Sequence, residues 1–338
     1  MSYDRNILHI IYASDDKFAE IMGISLISLF YHNTDVEDIV VYIMNDGISG
    51  KKQEAIESIF SKFKRGTPIW IAAKKICREL SMQVTLDRGS QSQYARLFLS
   101  DALPKDLCRV LYLDCDTIIN QSLKKIWNMD LMGKTIGALM DAFSKYYRQN
   151  IGLKADDVMF NSGVMLIDLT QWREKKIEEQ ILDFIVSMKG KIPQGDQGAL
   201  NAILSHDTYC FEPCYNSVTI FFDFSYEDML IYRKPPKFYS KEQVRDAVEN
   251  PVIIHFTTSF LSKRPWIKGC KHKYVSIWLW FKENSPWKEK DLWEDIRPLW
   301  KKIMVAIYKR LPIRIANRLA GCVQVYVRPF IAKISIRR

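Results

Sequence analysis

The chain has 338 residues, 48% of them hydrophobic, and its 49 Lys and Arg against 39 Asp and Glu give a formal net charge of +10. That length allows one large α/β domain, or two domains, with a sizeable core. The excess charge is local: residues 301–338 hold ten Lys or Arg and no acid, leaving 39 of each sign in residues 1–300. A neutral body argues against a nucleic-acid binder built on a basic groove.

Residues 7–14 are apolar and β-branched, which predicts a buried first strand running into Asp15 and Asp16 at a strand-to-loop corner. From 18 to 31 the apolar residues Ile21, Ile24, Leu26, Ile27, Leu29 and Phe30 recur at helical spacing, with Asn33 as a stop. Residues 38–44 read as a second strand, 51–63 as a second helix and 68–71 as a third strand. This alternation predicts right-handed βαβ units and a mainly parallel sheet.

A helix over 92–99 carries Arg96, and Pro104 marks the loop before an apolar run at 109–119. A short helix at 123–127 and a strand at 136–140 ending in Asp141 follow. The next strand, 161–168, is entered through Asn161-Ser162-Gly163, and one helix is expected over 170–188. A loop at 193–198 caps a helix at 199–204, with Asp196 suited to the N-cap. A late strand at 252–255 ends in His255, and Lys263-Arg264-Pro265-Trp266 comes soon after. No repeat or Gly/Ser linker precedes residue 285, which divides the chain into a domain at 1–285 and a tail at 286–338.

Within 109–119 the apolar run ends in Asp114 and Asp116. In a strand, side chains two apart share a face, so both carboxylates reach one point while Cys115 faces away. They repel each other, and an oxygen-preferring divalent cation shared with a phosphate, Mn²⁺ or Mg²⁺, would hold them. The competing reading is a turn in which one Asp caps a helix. Four expected strands end in polar residues, namely Asp15, Asp114 with Asp116, Asp141 and His255. That repetition points to a shared site at one sheet edge, where open α/β sheets bind ligands.

The seven cysteines (Cys77, Cys108, Cys115, Cys210, Cys214, Cys270, Cys322) form no paired motif, which fits a reduced, cytosolic setting. The N-terminus runs straight into a strand without a signal-peptide core, and no run reaches the ~18 apolar residues of a membrane span.

The ordered set Tyr12-Ala13-Ser14-Asp15-Asp16, Tyr94-Ala95-Arg96-Leu97, Leu111-Tyr112-Leu113-Asp114-Cys115-Asp116, Phe160-Asn161-Ser162-Gly163-Val164, Asp196-Gln197 and His255 resembles the pattern of glycosyltransferase family 8. The family contains retaining galactosyl- and glucosyltransferases of bacterial surface polysaccharides and the glycogenins. The resemblance covers roughly residues 5–290 and implies a GT-A fold, a single Rossmann-like nucleotide-binding domain. It further implies a UDP-hexose donor and Mn²⁺ (or Mg²⁺) held by Asp114, Asp116 and His255. By the same resemblance Asp15 and its neighbours Tyr12, Ala13 and Ser14 hold the uracil and ribose, Cys115 is among the donor-binding residues, and Arg96 pairs with acids or the donor. Asn161, Asp141, Asp196 and Gln197 surround the transferred sugar. Many members carry His-x-x-Gly-x-x-Lys-Pro-Trp, whereas this chain has a longer interval without the glycine, and Arg264 precedes Pro-Trp. Arg264 or Lys263 could bind the leaving diphosphate. Gly198 stands where some relatives have an acid.

Transfer to an acceptor hydroxyl with retention could pass through a covalent intermediate or by front-face attack. Gln197 is a poor nucleophile and Asp196 can position the sugar, which favours the second. A haloacid-dehalogenase-type phosphatase also uses Asp-X-Asp after a strand, but Ile118 stands where that class has Thr or Val, and the motif follows a complete βαβαβ instead of opening the fold. A catalytically weak scaffold working through its tail is the non-enzymatic alternative. In the tail, Ile303, Met304, Ile307, Tyr308, Leu311, Ile315, Leu319, Cys322, Val323 and Tyr326 fall at helical spacing among Lys and Arg, broken near Pro312. This predicts basic amphipathic helices on an anionic membrane surface, hence a peripheral, cytoplasmic-face location suited to a lipid-linked saccharide acceptor.

Overall fold

The computed structural model describes residues 3–73 and 92–337. A seven-stranded sheet has the order β3-β2-β1-β4-β7-β6-β8. Its strands are β1 (Ile7–Asp15), β2 (Asp38–Asp46), β3 (Thr67–Ala72), β4 (Arg109–Leu113), β6 (Ile136–Met140), β7 (Phe160–Asp168) and β8 (Thr208–Cys210). Four of its six neighbour contacts are parallel; β7 runs against both β4 and β6. β4 and β6 are fully buried, as expected for inner strands covered on both faces. A second, three-stranded sheet joins β5 (Thr117–Ile119), β10 (Ile253–His255) and β9 (Ser217–Val218).

The expected run over 109–119 is therefore two strands in two sheets, with Asp114, Cys115 and Asp116 in the turn between them. His255 correspondingly ends a strand of the small sheet, where it pairs with Thr117. Because β7 is reversed, its first residues Asn161–Gly163 lie at the edge where Asp114 and Asp141 emerge. A register shift at Ala138/Leu139 brings Leu139 opposite Asn161, the kind of irregularity that re-aims side chains beside sites.

Three expected helices differ in extent. The helix over 92–99 is regular only at Ser92–Ala95. The helix over 170–188 is two, Leu169–Glu174 and Ile177–Ser187, broken where Lys176 takes a left-handed conformation. Asp196 opens the helix Asp196–Leu204 and Gly195 holds its N-cap, so Asp196 is not the cap. The six described cysteines are free, and Cys77 lies outside the described residues. No helix among the described residues is long and apolar enough to cross a membrane.

Beyond residue 285 the chain first stays on the body. Trp287 packs against Gly23 of the helix Ala19–His32, leaving no room there for a Cβ. Trp293 stands edge-on to Phe18 and Trp266, and Lys290 pairs with buried Glu20 at 2.6 Å. The helices Leu299–Arg310, Ile313–Cys322 and Arg328–Arg337 then follow, the first ending before Pro312 and the last two joined by a π-helical turn, Val323–Val327. These later helices also reach the body, with Tyr308, Ala316, Asn317 and Val325 buried.

Removing the buried Trp287 ring leaves an unfilled cleft on the first helix. Trp287→Ala should lower the unfolding free energy by about 3–5 kcal/mol in a denaturant titration; a change below about 1 kcal/mol would show that this strap is not part of the core.

Candidate active site

The turn after β4 is fixed from three sides. The Asp114 backbone N–H donates to the Gly163 carbonyl at 2.7 Å, and Thr117 Oγ1 donates to the Asp114 carbonyl at 2.8 Å. The buried Cys115 thiol donates to the Ala13 carbonyl on β1 at 3.2 Å. Cys115 thus faces the sheet while both carboxylates face His255. His255 Nε2 is 3.1 Å from Asp116 Oδ1 and 3.6 Å from Asp114 Oδ2. The expected convergence is present, produced by a turn instead of a strand pleat.

Asn216 determines what the imidazole offers. Its side chain is fully buried, its amide donates to Asn161 Oδ1 at 2.9 Å, and its Oδ1 stands 2.9 Å from His255 Nδ1. With the amide committed to Asn161, Oδ1 accepts from Nδ1–H, and Nε2 faces the two carboxylates, where its N–H donates to Asp116 or, with that proton displaced, its lone pair is free for a metal. One ligand atom from each of Asp114, Asp116 and His255 lies within 4.8 Å of the others. Two carboxylates and one imidazole that converge in a largely buried place could hold a divalent metal ion. Gly163 makes the approach possible, since a Cβ there would lie 2.7 Å from Asp114 Oδ2 and 2.9 Å from His255 Nδ1.

Arg96 binds the acids together. It reaches Asp114 Oδ1 at 2.7 Å and Asp196 Oδ2 at 3.1 Å, donates to the Ser162 carbonyl at 3.0 Å, and lies over the Tyr112 ring. Tyr112 donates its hydroxyl to the same Asp114 oxygen at 2.8 Å. Burial raises the Asp196 pKa, and Arg96 opposes the shift. Burial would also raise Asp116, but His255 and Arg264 outweigh it and hold that carboxyl at about 2. Arg264 reaches Asp116 Oδ2 at 3.3 Å, donates to Thr258 Oγ1 at 2.7 Å and lies over Trp266. Its Nε is buried with no partner among the described residues, a donor left over at the edge of the acid pair.

On the other flank, Gln197 Oε1 accepts from the Ser162 N–H at 3.3 Å. Asp141 accepts from the Asn161 amide, and its pKa is raised by burial against the fields of Arg233 and Arg148. The chain Asp141–Asn161–Asn216–His255 links this flank to Asp114 and Asp116.

Several expected residues lie elsewhere or act differently. Tyr12 is fully buried and bonds Ser25 Oγ at 3.0 Å, so its ring belongs to the core. Ser14 donates to the Asp15 carbonyl, and Asp15 accepts from the Phe18 N–H at 2.9 Å, closing the corner that opens the first helix. Lys263 is turned to Asp295 at 3.3 Å and to the Lys268 carbonyl at 2.9 Å; of the two adjacent cations, Arg264 faces the acids. Gly198 has no space for an acidic side chain, because a Cβ would strike the Pro193 carbonyl. Asn216 was not singled out from the sequence, where it stands among other polar residues, Glu212, Ser217 and Thr219, with nothing to set it apart.

A reversed strand in a mostly parallel sheet, with two acids and a histidine converging at its edge, defines a GT-A-like transferase fold. The family model of glycosyl transferase family 8 matches residues 9–269, and the chain belongs to that family. General stress protein A of Bacillus subtilis (strain 168) is 26% identical over 285 residues, spanning 83% of this chain and 95% of that protein. The lipopolysaccharide 1,2-glucosyltransferase of Escherichia coli (strain K12) is 23% identical over 290 residues, 83% of this chain and 79% of that one. Among solved structures, the galactosyltransferase LgtC, in complex with donor and acceptor sugar analogs, superposes with a TM-score of 0.68 at 22% identity, covering 82% of this chain and 96% of its own.

Removing the residue that orients a metal-binding histidine typically costs about 10- to 100-fold in metal affinity. Asn216→Ala should therefore weaken Mn²⁺ binding by about that factor in an electron paramagnetic resonance titration, with Asn216→Asp closer to wild type. Equal affinity in Asn216→Ala would remove Asn216 from the site.

Proposed function

We propose that the protein is a retaining hexosyltransferase that moves galactose or glucose from a UDP-sugar to a saccharide hydroxyl in bacterial surface polysaccharide synthesis. The observation that carries this reading is the meeting of Asp114, Asp116 and His255 within 4.8 Å, flanked by Arg264 and Arg96. Family membership supports the donor class. The glucosyltransferase and galactosyltransferase among the similar proteins support a hexose.

Asp114, Asp116 and His255 would hold the metal, which supplies positive charge for the departing diphosphate. Arg264 adds a guanidinium on the same side. Asp196, tied to Arg96, is poorly placed to become a free nucleophile, and Gln197 is a weak one, which favours front-face attack. In that course the bond from the anomeric carbon to the diphosphate oxygen breaks on the face where the bond to the acceptor oxygen forms. The acceptor proton passes to the departing phosphate oxygen. Asp141, Asn161, Asp196 and Gln197 orient the sugar.

The C-terminal helices would place the enzyme on the inner face of the membrane, near a lipid-linked acceptor. Exposed Leu299, Trp300, Ile303, Met304, Ile307 and Leu319 lie among exposed Lys301, Lys302, Arg310, Arg314 and Arg318. Apolar exposure combined with one sign of charge suits an anionic lipid surface.

Release of UDP from UDP-galactose or UDP-glucose should require Mn²⁺, stop with a chelator, and fall by at least about 100-fold in Asp116→Asn. Unchanged turnover in that variant would overturn the reading. For the membrane arm, reversing Lys301, Lys302, Arg310 and Arg314 to Glu should weaken sedimentation with phosphatidylglycerol vesicles by at least about tenfold; unaltered sedimentation would dismiss it.

A further inference from the structure

The stretch that follows Asp141 does not share the main cores. Phe143, Tyr147, Ile151, Leu153 and Met159 form a small cluster of their own, and Arg148, only 1% exposed, runs through it to the Phe143 and Asp157 carbonyls. Phe184 and Ala202 pack against it from the body, and the C-terminal helices reach it at three further points. Gln324 Nε2 donates to the Tyr147 hydroxyl at 3.0 Å, Ser144 Oγ donates to the Val325 carbonyl at 3.4 Å, and Asn150 Nδ2 donates to the Pro329 carbonyl at 2.8 Å.

The same helices also grip the neighbouring helix Tyr226–Arg233. Gly321 lies so close that a Cβ would come within 2.8 Å of the Ile231 carbonyl and 3.2 Å of Tyr232 Cα. Lys234, just after that helix, bonds the Tyr326 hydroxyl at 3.4 Å. Arg148 and Arg233 are the guanidiniums whose fields reach Asp141, and Arg233 lies over the Phe143 ring at 5.2 Å. Both stand on elements that the C-terminal helices cover. The contact is made by a π-helical turn, Val323–Val327, a costly form that tends to persist where a side chain has to be aimed. In it Gln324 is 5% exposed and Val325 2%, while Tyr326 is outside.

We propose that the C-terminal helices are a positioning element for the sugar side of the active site: they hold the two guanidinium-bearing helices around Asp141, and Gln324 is the positioning residue that registers them through Tyr147. The proposal rests on the hexosyltransferase reading, and it gives the tail a task inside the catalytic unit besides any at a membrane. Asp141 is expected to act on the hexose and not on the nucleotide, so a displaced brace should spare UDP binding.

The test uses the full chain with Gln324→Met, which keeps volume but removes the donor, Tyr147→Phe, their double variant, and Gly321→Val, which wedges the tail away without touching Gln324. Three quantities are measured: Mn²⁺-dependent hydrolysis of UDP-glucose and UDP-galactose, UDP affinity with Mn²⁺ by calorimetry, and hydrogen exchange across residues 141–153. The expected result is hydrolysis down about 10- to 100-fold, UDP affinity within about twofold, and faster exchange at 141–153. The double variant should be no worse than the stronger single one, as for two ends of one contact. Hydrolysis unchanged, or UDP affinity falling in step with it, would overturn the proposal. If the wild-type chain turned over neither sugar, the transferase reading itself would fail. Exchange at 141–153 would then decide the brace alone: faster exchange in Gln324→Met supports it and unchanged exchange overturns it.

Discussion

One guanidinium, Arg96, holds the site together. Asp114 arrives on the turn after β4, Asp196 on the first turn of a helix, and the Ser162 carbonyl on the reversed strand β7, and Arg96 meets all three. Buried charges are tolerated when each is paired and hydrogen-bonded, and removing one partner leaves the others strongly destabilised. Three elements far apart in sequence therefore share one electrostatic condition. Asp116 is paired separately, with Arg264 and His255.

The first half of the sheet was legible because its signals are local. Apolar runs of strand length alternate with helical spacing, and the order of β1, β2 and β3 follows directly. The break at Asp114 was not legible, since an apolar run continues through Ile118 and Ile119; the chain leaves the large sheet because Thr117–Ile119 pair with β10, more than 130 positions later. The left-handed Lys176 that splits one helix carries no compositional mark. Asp15, Asp114, Asp116, Asp141 and His255 were visible as polar residues closing apolar runs. Asn216 was hidden, because its task is defined by two partners, Asn161 and His255, that the sequence keeps 55 and 39 residues away.

The site has two halves of different construction. The half around Asp114, Asp116 and His255 is built on strands and their connecting turn, embedded in the main core, and Gly163 and Asn216 leave its side chains little freedom. The half around Asp141 runs into a small separate cluster that the C-terminal chain covers.

The central claim is that Asp114, Asp116 and His255 form one metal centre. Anomalous scattering at the manganese edge, from crystals of the full chain grown with Mn²⁺ and UDP, tests it directly. The account predicts a single strong peak within bonding distance of Asp114, Asp116 and His255 Nε2. A peak that omits His255, or no peak at this place while UDP is bound, would contradict it.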